Sequence, residues 1–237
     1  MKTRNIFFAA ASSLLISAGD AAPFTGSYSF TDTTGNVASL PYNGGTLSNV
    51  NVGALDKIGV TTSSSIGNSR ASGWAVGATS GSDSFSGTVD LGKYFEFSLS
   101  AADGYTIDMT SVTFGIGRSA AGPRQWQWRS SADNYTAAIQ SYSSTHNSLG
   151  LNLGVIQNTD SNSSWTGNVL NLNSDTYSGL SAITLRFYGY NAEATGGTGG
   201  LQGNLSFAGI AVESIPEPSA ALLGGLGILG AFRRRRR

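Results

Sequence analysis

The sequence predicts an all-β domain, a two-sheet antiparallel β-sandwich of jelly-roll type. Three observations carry that expectation. Short runs alternate apolar and polar residues with period two. Clusters of Gly, Asn, Asp and Pro separate those runs. No helical periodicity runs through residues 22–213 of the 237-residue chain. Ten or more short strands with frequent turns pack as a sandwich. The absence of an internal repeat argues against a propeller or solenoid.

The elements follow in order. Residues 1–21 read as a signal peptide, a helix removed by signal peptidase. Lys2 and Arg4 form a basic n-region, residues 6–16 an apolar h-region, and small residues follow. Cleavage after Ala21 places Gly19 and Ala21 at the −3 and −1 positions. The folded domain is expected over residues 22–213. Its first strands are expected near residues 27–31, 37–42, 55–61 and 84–90. Phe95, Phe97 and Leu99 share one face of a strand, with Glu96 and Ser98 on the other. Val112, Phe114 and Ile116 define the next strand, and residues 125–129 another. Strands near 149–156 and 168–172 precede the alternation of Ile183, Leu185 and Phe187. Leu205, Phe207 and Gly209 mark the last strand, residues 201–212. Asn43-Gly44-Gly45, Asp103-Gly104, Gly122-Pro123 and the glycine-rich stretch 196–200 supply turns. The first and last strands are expected to lie together, as domain termini often do.

Composition narrows the functions. The whole chain is neutral, with 14 basic and 14 acidic residues. Lys2, Arg4 and the five terminal arginines lie outside residues 22–213, which keep seven basic against twelve acidic side chains. That negative surplus argues against a nucleic-acid partner and suits neutral polysaccharide or calcium. Cysteine is absent, so there is no disulfide framework and no thiolate zinc site. No cofactor is expected. A structural calcium on Asp103, Asp108 or Asp133 is the one metal the loops suggest.

Hydrolytic chemistry finds little support. His146 is the single histidine, and no Gly-x-Ser-x-Gly elbow accompanies it. Glu96, Glu193 and Glu213 are the only glutamates of the domain, which leaves a glycosidase-type carboxylate pair as an alternative. The densest candidate is residues 124–129. On a strand, Trp126 and Trp128 point one way, and Gln125, Gln127 and Arg129 the other. The tryptophans, with Trp74 and Trp165, are expected in the core. The three polar residues are then the exposed face. Arg186, Tyr188 and Tyr190 form a similar face on a later strand. Gln and Arg bond sugar hydroxyls and tyrosine rings stack on sugar faces, so these six are the candidate glycan-binding residues.

Residues 214–237 carry the address. Pro216-Glu217-Pro218 holds the backbone extended. An apolar stretch over residues 220–232 follows, expected as a short transmembrane helix, and Arg233, Arg234, Arg235, Arg236 and Arg237 close the chain. The stretch is shorter than the roughly 20 residues of a full span, and the arginines stay cytoplasmic. This order resembles the PEP-CTERM sorting signal of Gram-negative and related bacteria. The resemblance implies processing by an exosortase, transient inner-membrane anchoring, and display at the surface of a cell that makes exopolysaccharide. More loosely, residues 94–102, 104–107, 112–114 and 126–133 resemble jelly-roll modules of secreted bacterial proteins. The expectation is a non-enzymatic surface or biofilm-matrix protein, with exopolysaccharide as the ligand it would bind. A carbohydrate-active enzyme and a purely structural matrix protein are the alternatives.

Overall fold

The computed structural model describes residues 20–31, 34–144 and 150–214. The expected signal helix, the C-terminal helix, the sorting motif, the arginine cluster and His146 lie outside the described residues. In chain order the strands are β1 (Ala21–Tyr28), β2 (Ser39–Leu40), β3 (Val50–Val52), β4 (Leu55–Ile58), β5 (Thr61–Ser63), β6 (Asn68–Ser72), β7 (Tyr94–Ala101) and β8 (Tyr105–Arg118). There follow β9 (Pro123–Ser130), β10 (Tyr142–Ser143), β11 (Gly150–Asn152), β12 (Val155–Gln157), β13 (Ser163–Asn171), β14 (Ala182–Ala192), β15 (Gly199–Gln202) and β16 (Leu205–Glu213). Helical structure among the described residues is limited to three short 3-10 turns. None is long or apolar enough to cross a membrane.

The strands form two antiparallel sheets. The first runs β1-β16-β8-β15-β6-β5, with β13 on the other flank of β8 and β10 beyond it. The second runs β11-β12-β9-β14-β7-β4-β2, with β3 also on β7. The first and last strands meet as expected: β1 pairs along β16 from Ala21 opposite Val212 to Tyr28 opposite Leu205.

The alternation read from the sequence sets the inner faces. Phe95, Phe97 and Leu99 are buried, as are Val112, Phe114, Ile116, Ile183, Leu185, Phe187, Leu205 and Phe207. Aromatic contacts join the sheets. Phe97 stacks on Phe207 at 5.6 Å, and Phe114 meets Trp128 edge-on at 5.4 Å. Within the second sheet, Phe187 stacks between Trp126 (4.8 Å) and Trp128 (4.7 Å). Such pairs add about 0.5–1.5 kcal/mol each beyond their burial. Trp126 fits because its neighbour on β14 is Gly189, where a Cβ would come within 2.6 Å of the indole ring. All four tryptophans are in the core.

Two local expectations are corrected, and one strand was not anticipated. Residues 84–90 form no strand and contribute only the bridge of Phe85 to Ala78. That segment is Gly- and Ser-rich, and the Asn191 side chain pins Gly87 instead through its Oδ1 (2.9 Å) and Nδ2 (3.2 Å). The strand expected over 55–61 breaks at Gly59, which takes a left-handed φ of +67°. Strand β6 was invisible to alternation because its sequence is Asn-Ser-Arg-Ala-Ser. Asn68, Ser69 and Ala71 are nonetheless buried, since β15 pairs along it.

Candidate functional site

Register unites the two segments singled out in the sequence. On the outer face of the second sheet, Arg129 lies opposite Arg186, Gln127 opposite Tyr188, and Gln125 opposite Tyr190. Strand β7 extends the same face, with Glu96 opposite Arg186 and Tyr94 opposite Tyr188. The inward direction of Trp126, Trp128, Leu185 and Phe187 forces this arrangement, because successive strand residues point to opposite sides.

The patch is organised around two arginines. The Arg186 guanidinium sits 4.3 Å from the Tyr94 ring centroid and 3.7 Å from that of Tyr135. Its Nε donates to Glu96 Oε2 at 2.8 Å. Arg129 lies over the Tyr188 ring at 5.7 Å and donates from Nη1 to the carbonyls of Tyr135 (2.8 Å) and Thr136 (3.1 Å). With the Gln127 amide turned so that its oxygen faces Arg129, Oε1 accepts from Arg129 Nε and Nη2 at 2.6 and 2.8 Å. Gln125 Oε1 accepts from Asn191 Nδ2 at 2.6 Å. Hydrogen bonding to Glu96 helps hold the Arg186 guanidinium pKa above its ordinary value although burial opposes it. Burial pushes the Tyr190 hydroxyl up to about 12.

Exposure divides the six candidates. Gln125, Arg129 and Arg186 are half-buried. Gln127 is only 4% exposed, Tyr190 6% and Tyr188 0%. The expectation of an open Gln127 is therefore corrected: Arg129 takes its amide. Tyr188 is likewise no free stacking platform, because Tyr94, Arg129 and Arg186 close around it. Tyr135 and Glu96 take part instead. Glu96 was legible as the outward neighbour of Phe95 and Phe97. Tyr135 comes from the turn after β9, which carries no periodic signal.

The carboxylates weighed for catalysis and calcium lie apart from one another or are already paired. Glu96 faces Asp56 across β4 and β7 but is bonded to Arg186. Glu193 meets the fully buried Arg118 at 2.8 Å. Asp160 lies against Glu193, and that contact, with the Gly81 amide and two arginines, holds its carboxyl below the ordinary range. Arg124, also fully buried, pairs with Asp83. Asp103 lies in a turn, Asp108 on β8 and Asp133 in a 3-10 turn. Among the described residues no three His, Cys, Asp or Glu side chains are placed to hold a metal together.

Comparison with known proteins adds the address. Residues 214–237 match the family model of the PEP-CTERM protein-sorting motif. The motif supports export, processing by an exosortase, and a cell-surface or extracellular destination. Comparisons with curated proteins and with solved structures return no match.

Proposed function

We propose that this chain is an exosortase-processed surface or biofilm-matrix protein whose jelly-roll-like sandwich binds neutral polysaccharide without catalysis. The site is the outer face of the second sheet, centred on Arg186, Arg129, Gln125 and Glu96. The observation that supports the reading is the register that sets Gln125, Gln127 and Arg129 directly against Tyr190, Tyr188 and Arg186. Guanidinium planes, amides and a carboxylate offer donors and acceptors matched to sugar hydroxyls, and the Tyr135 ring supplies apolar surface. Their mutual bonds hold these groups on strands, so little ordering accompanies binding. A shallow site of this kind binds at roughly millimolar strength, about −4 kcal/mol. Dense display raises the effective strength through multivalency.

The test is a glycan array and the producer's own exopolysaccharide, probed with the tail-processed protein. The parent binds, and Arg186→Lys weakens binding at least tenfold while remaining folded, because an ammonium lacks the planar fork and stacking of the guanidinium. Release of reducing ends from a bound glycan would replace this reading with the enzymatic one. A folded parent that binds no polysaccharide leaves a structural matrix protein.

A further inference from the structure

The opposite side of the sandwich carries a second polar concavity. On the outer face of the first sheet, Asp108 and Thr110 of β8, Ile210 of β16, and Asn173, Asp175 and Tyr177 of the turn between β13 and β14 line a cleft of about 240 Å³. Asp108 and Ile210 are cross-strand partners, which places the carboxylate beside an aliphatic floor. Asp108 Oδ1 accepts from Ser178 Oγ at 2.7 Å and from the Gly179 amide at 2.6 Å. Those two donors fix the plane of the carboxyl group. Asp108 Oδ2, the Asn173 amide and the Thr110 hydroxyl have no side-chain hydrogen-bond partner among the described residues. The cleft thus presents an oriented acceptor, an amide with donors and an acceptor, and a hydroxyl, beside Ile210. Two carboxylates alone make a poor cage for calcium, which takes six to eight oxygens.

We propose that this cleft binds one residue of a neutral sugar, with vicinal hydroxyls shared between Asp108 Oδ2 and the Asn173 amide. The proposal rests on the polysaccharide-binding reading and extends it. With sites on the outer faces of both sheets, one domain joins two polysaccharide strands. A displayed array of such domains would cross-link the polymer instead of merely coating it.

The experiment is amide chemical-shift mapping of the tail-processed protein titrated with glucose, galactose and mannose, in calcium-free buffer and then with calcium. A saturable shift at residues 108–110 and 173–179 with at least one sugar, in calcium-free buffer, is expected. Asp108→Asn keeps an acceptor for Ser178 and Gly179 but turns the free oxygen into a donor. It should reduce affinity at least tenfold with the fold intact. Thr110→Val is the second variant and should reduce it severalfold. Shifts produced there by calcium alone, or sugar shifts unchanged in both variants, overturn the proposal. Sugar shifts confined to β9 and β14 overturn it while leaving the first site standing. Absence of sugar shifts on either face overturns both. Cross-linking is read separately. Turbidity of a bound polysaccharide with the parent should be lost in Asp108→Asn while single-face binding to immobilised glycan persists.

Discussion

Replacing Arg118 with methionine tests how the loop-bearing end of the sandwich is held. Arg118 is fully buried at the end of β8. Its Nη1 donates to the carbonyls of Thr159 (2.8 Å) and Ser161 (2.9 Å). Its Nη2 donates to Gly122 O (3.0 Å), to Ala120 O and to Glu193 Oε1 (2.8 Å). One guanidinium therefore ties together the turn after β8, the loop after β12 and the end of β14, adding to backbone bonds such as Glu193 N to Ala121 O (3.1 Å). Methionine fills a similar volume but leaves four carbonyls and a carboxylate, only 8% exposed, without their donor. Breaking a buried pair from one side costs about 3–5 kcal/mol, and water entering the gap recovers part of the carbonyl term. A loss of about 4 kcal/mol is expected, a large share of a typical 5–15 kcal/mol. At a slope of roughly 2 kcal/mol per molar urea, the midpoint falls by about 2 M. Glu193→Gln keeps an acceptor and should cost only about 1–2 kcal/mol. The double variant should cost less than the sum, because the two side chains share one interaction. A midpoint change below about 0.5 M for Arg118→Met would show that the loops are held by something other than this guanidinium.

Phe97→Asp should cost several kcal/mol by placing a charge among Tyr28, Trp128 and Phe207, whereas Ser98→Asp, on the outer face, should cost far less; equal urea midpoints would refute the assigned faces. Lys57 is buried over Phe95, donates to Gly35 O (2.6 Å) and Arg70 O (3.1 Å), and burial lowers its pKa to about 8. The unfolded chain holds that proton to about pH 10.4, so stability relative to Lys57→Met should rise from pH 8 towards pH 10; a flat difference in urea midpoints would contradict a neutral buried amine. Mass spectrometry of cell-surface material should find no peptide spanning residues 228–233, and an intact tail in a strain with a working exosortase would contradict the sorting address.

What the sequence revealed of the fold is what periodicity encodes. Phe95, Phe97 and Leu99, or Ile183, Leu185 and Phe187, must lie inward because polar neighbours separate them and no other placement buries all three. Strand β6 escaped because its buried positions are Asn68, Ser69 and Ala71, small or polar residues whose burial follows from pairing with β15. The opposite error arose at residues 84–90, where a strand was expected. Gly77 and Gly87 approach so closely there that a Cβ on Gly77 would lie 2.4 Å from the Gly87 nitrogen. The backbone is therefore held by Asn191, with little regular pairing.

The site shows where one-dimensional reading stops. Outward direction was legible for Gln125, Gln127, Arg129, Arg186, Tyr188 and Tyr190, since they alternate with the inward Trp126, Trp128, Leu185 and Phe187. Their union was not, because it depends on a register between β9 and β14 in which the facing candidates are separated by 57 to 65 positions in the chain. Exposure was not legible either. An outward side chain on a central strand is open only if its neighbours leave it open. Here Arg129 folds over Tyr188 and binds Gln127, while Tyr135 returns from the turn after β9 to cover Arg186. The same covering that removes Tyr188 as a stacking platform leaves the two guanidiniums fixed in place and half-buried. On strands β9 and β14 a ligand that uses this face would therefore meet the Arg129 guanidinium before the Tyr188 ring, with Tyr135 the aromatic plane over Arg186. That ordering predicts selectivity for hydroxyl configuration over ring hydrophobicity. Epimeric sugars should differ in affinity more than methylated and free forms of one sugar do, and competition titrations giving the reverse ranking would place the contact on tyrosine rings instead of the arginines.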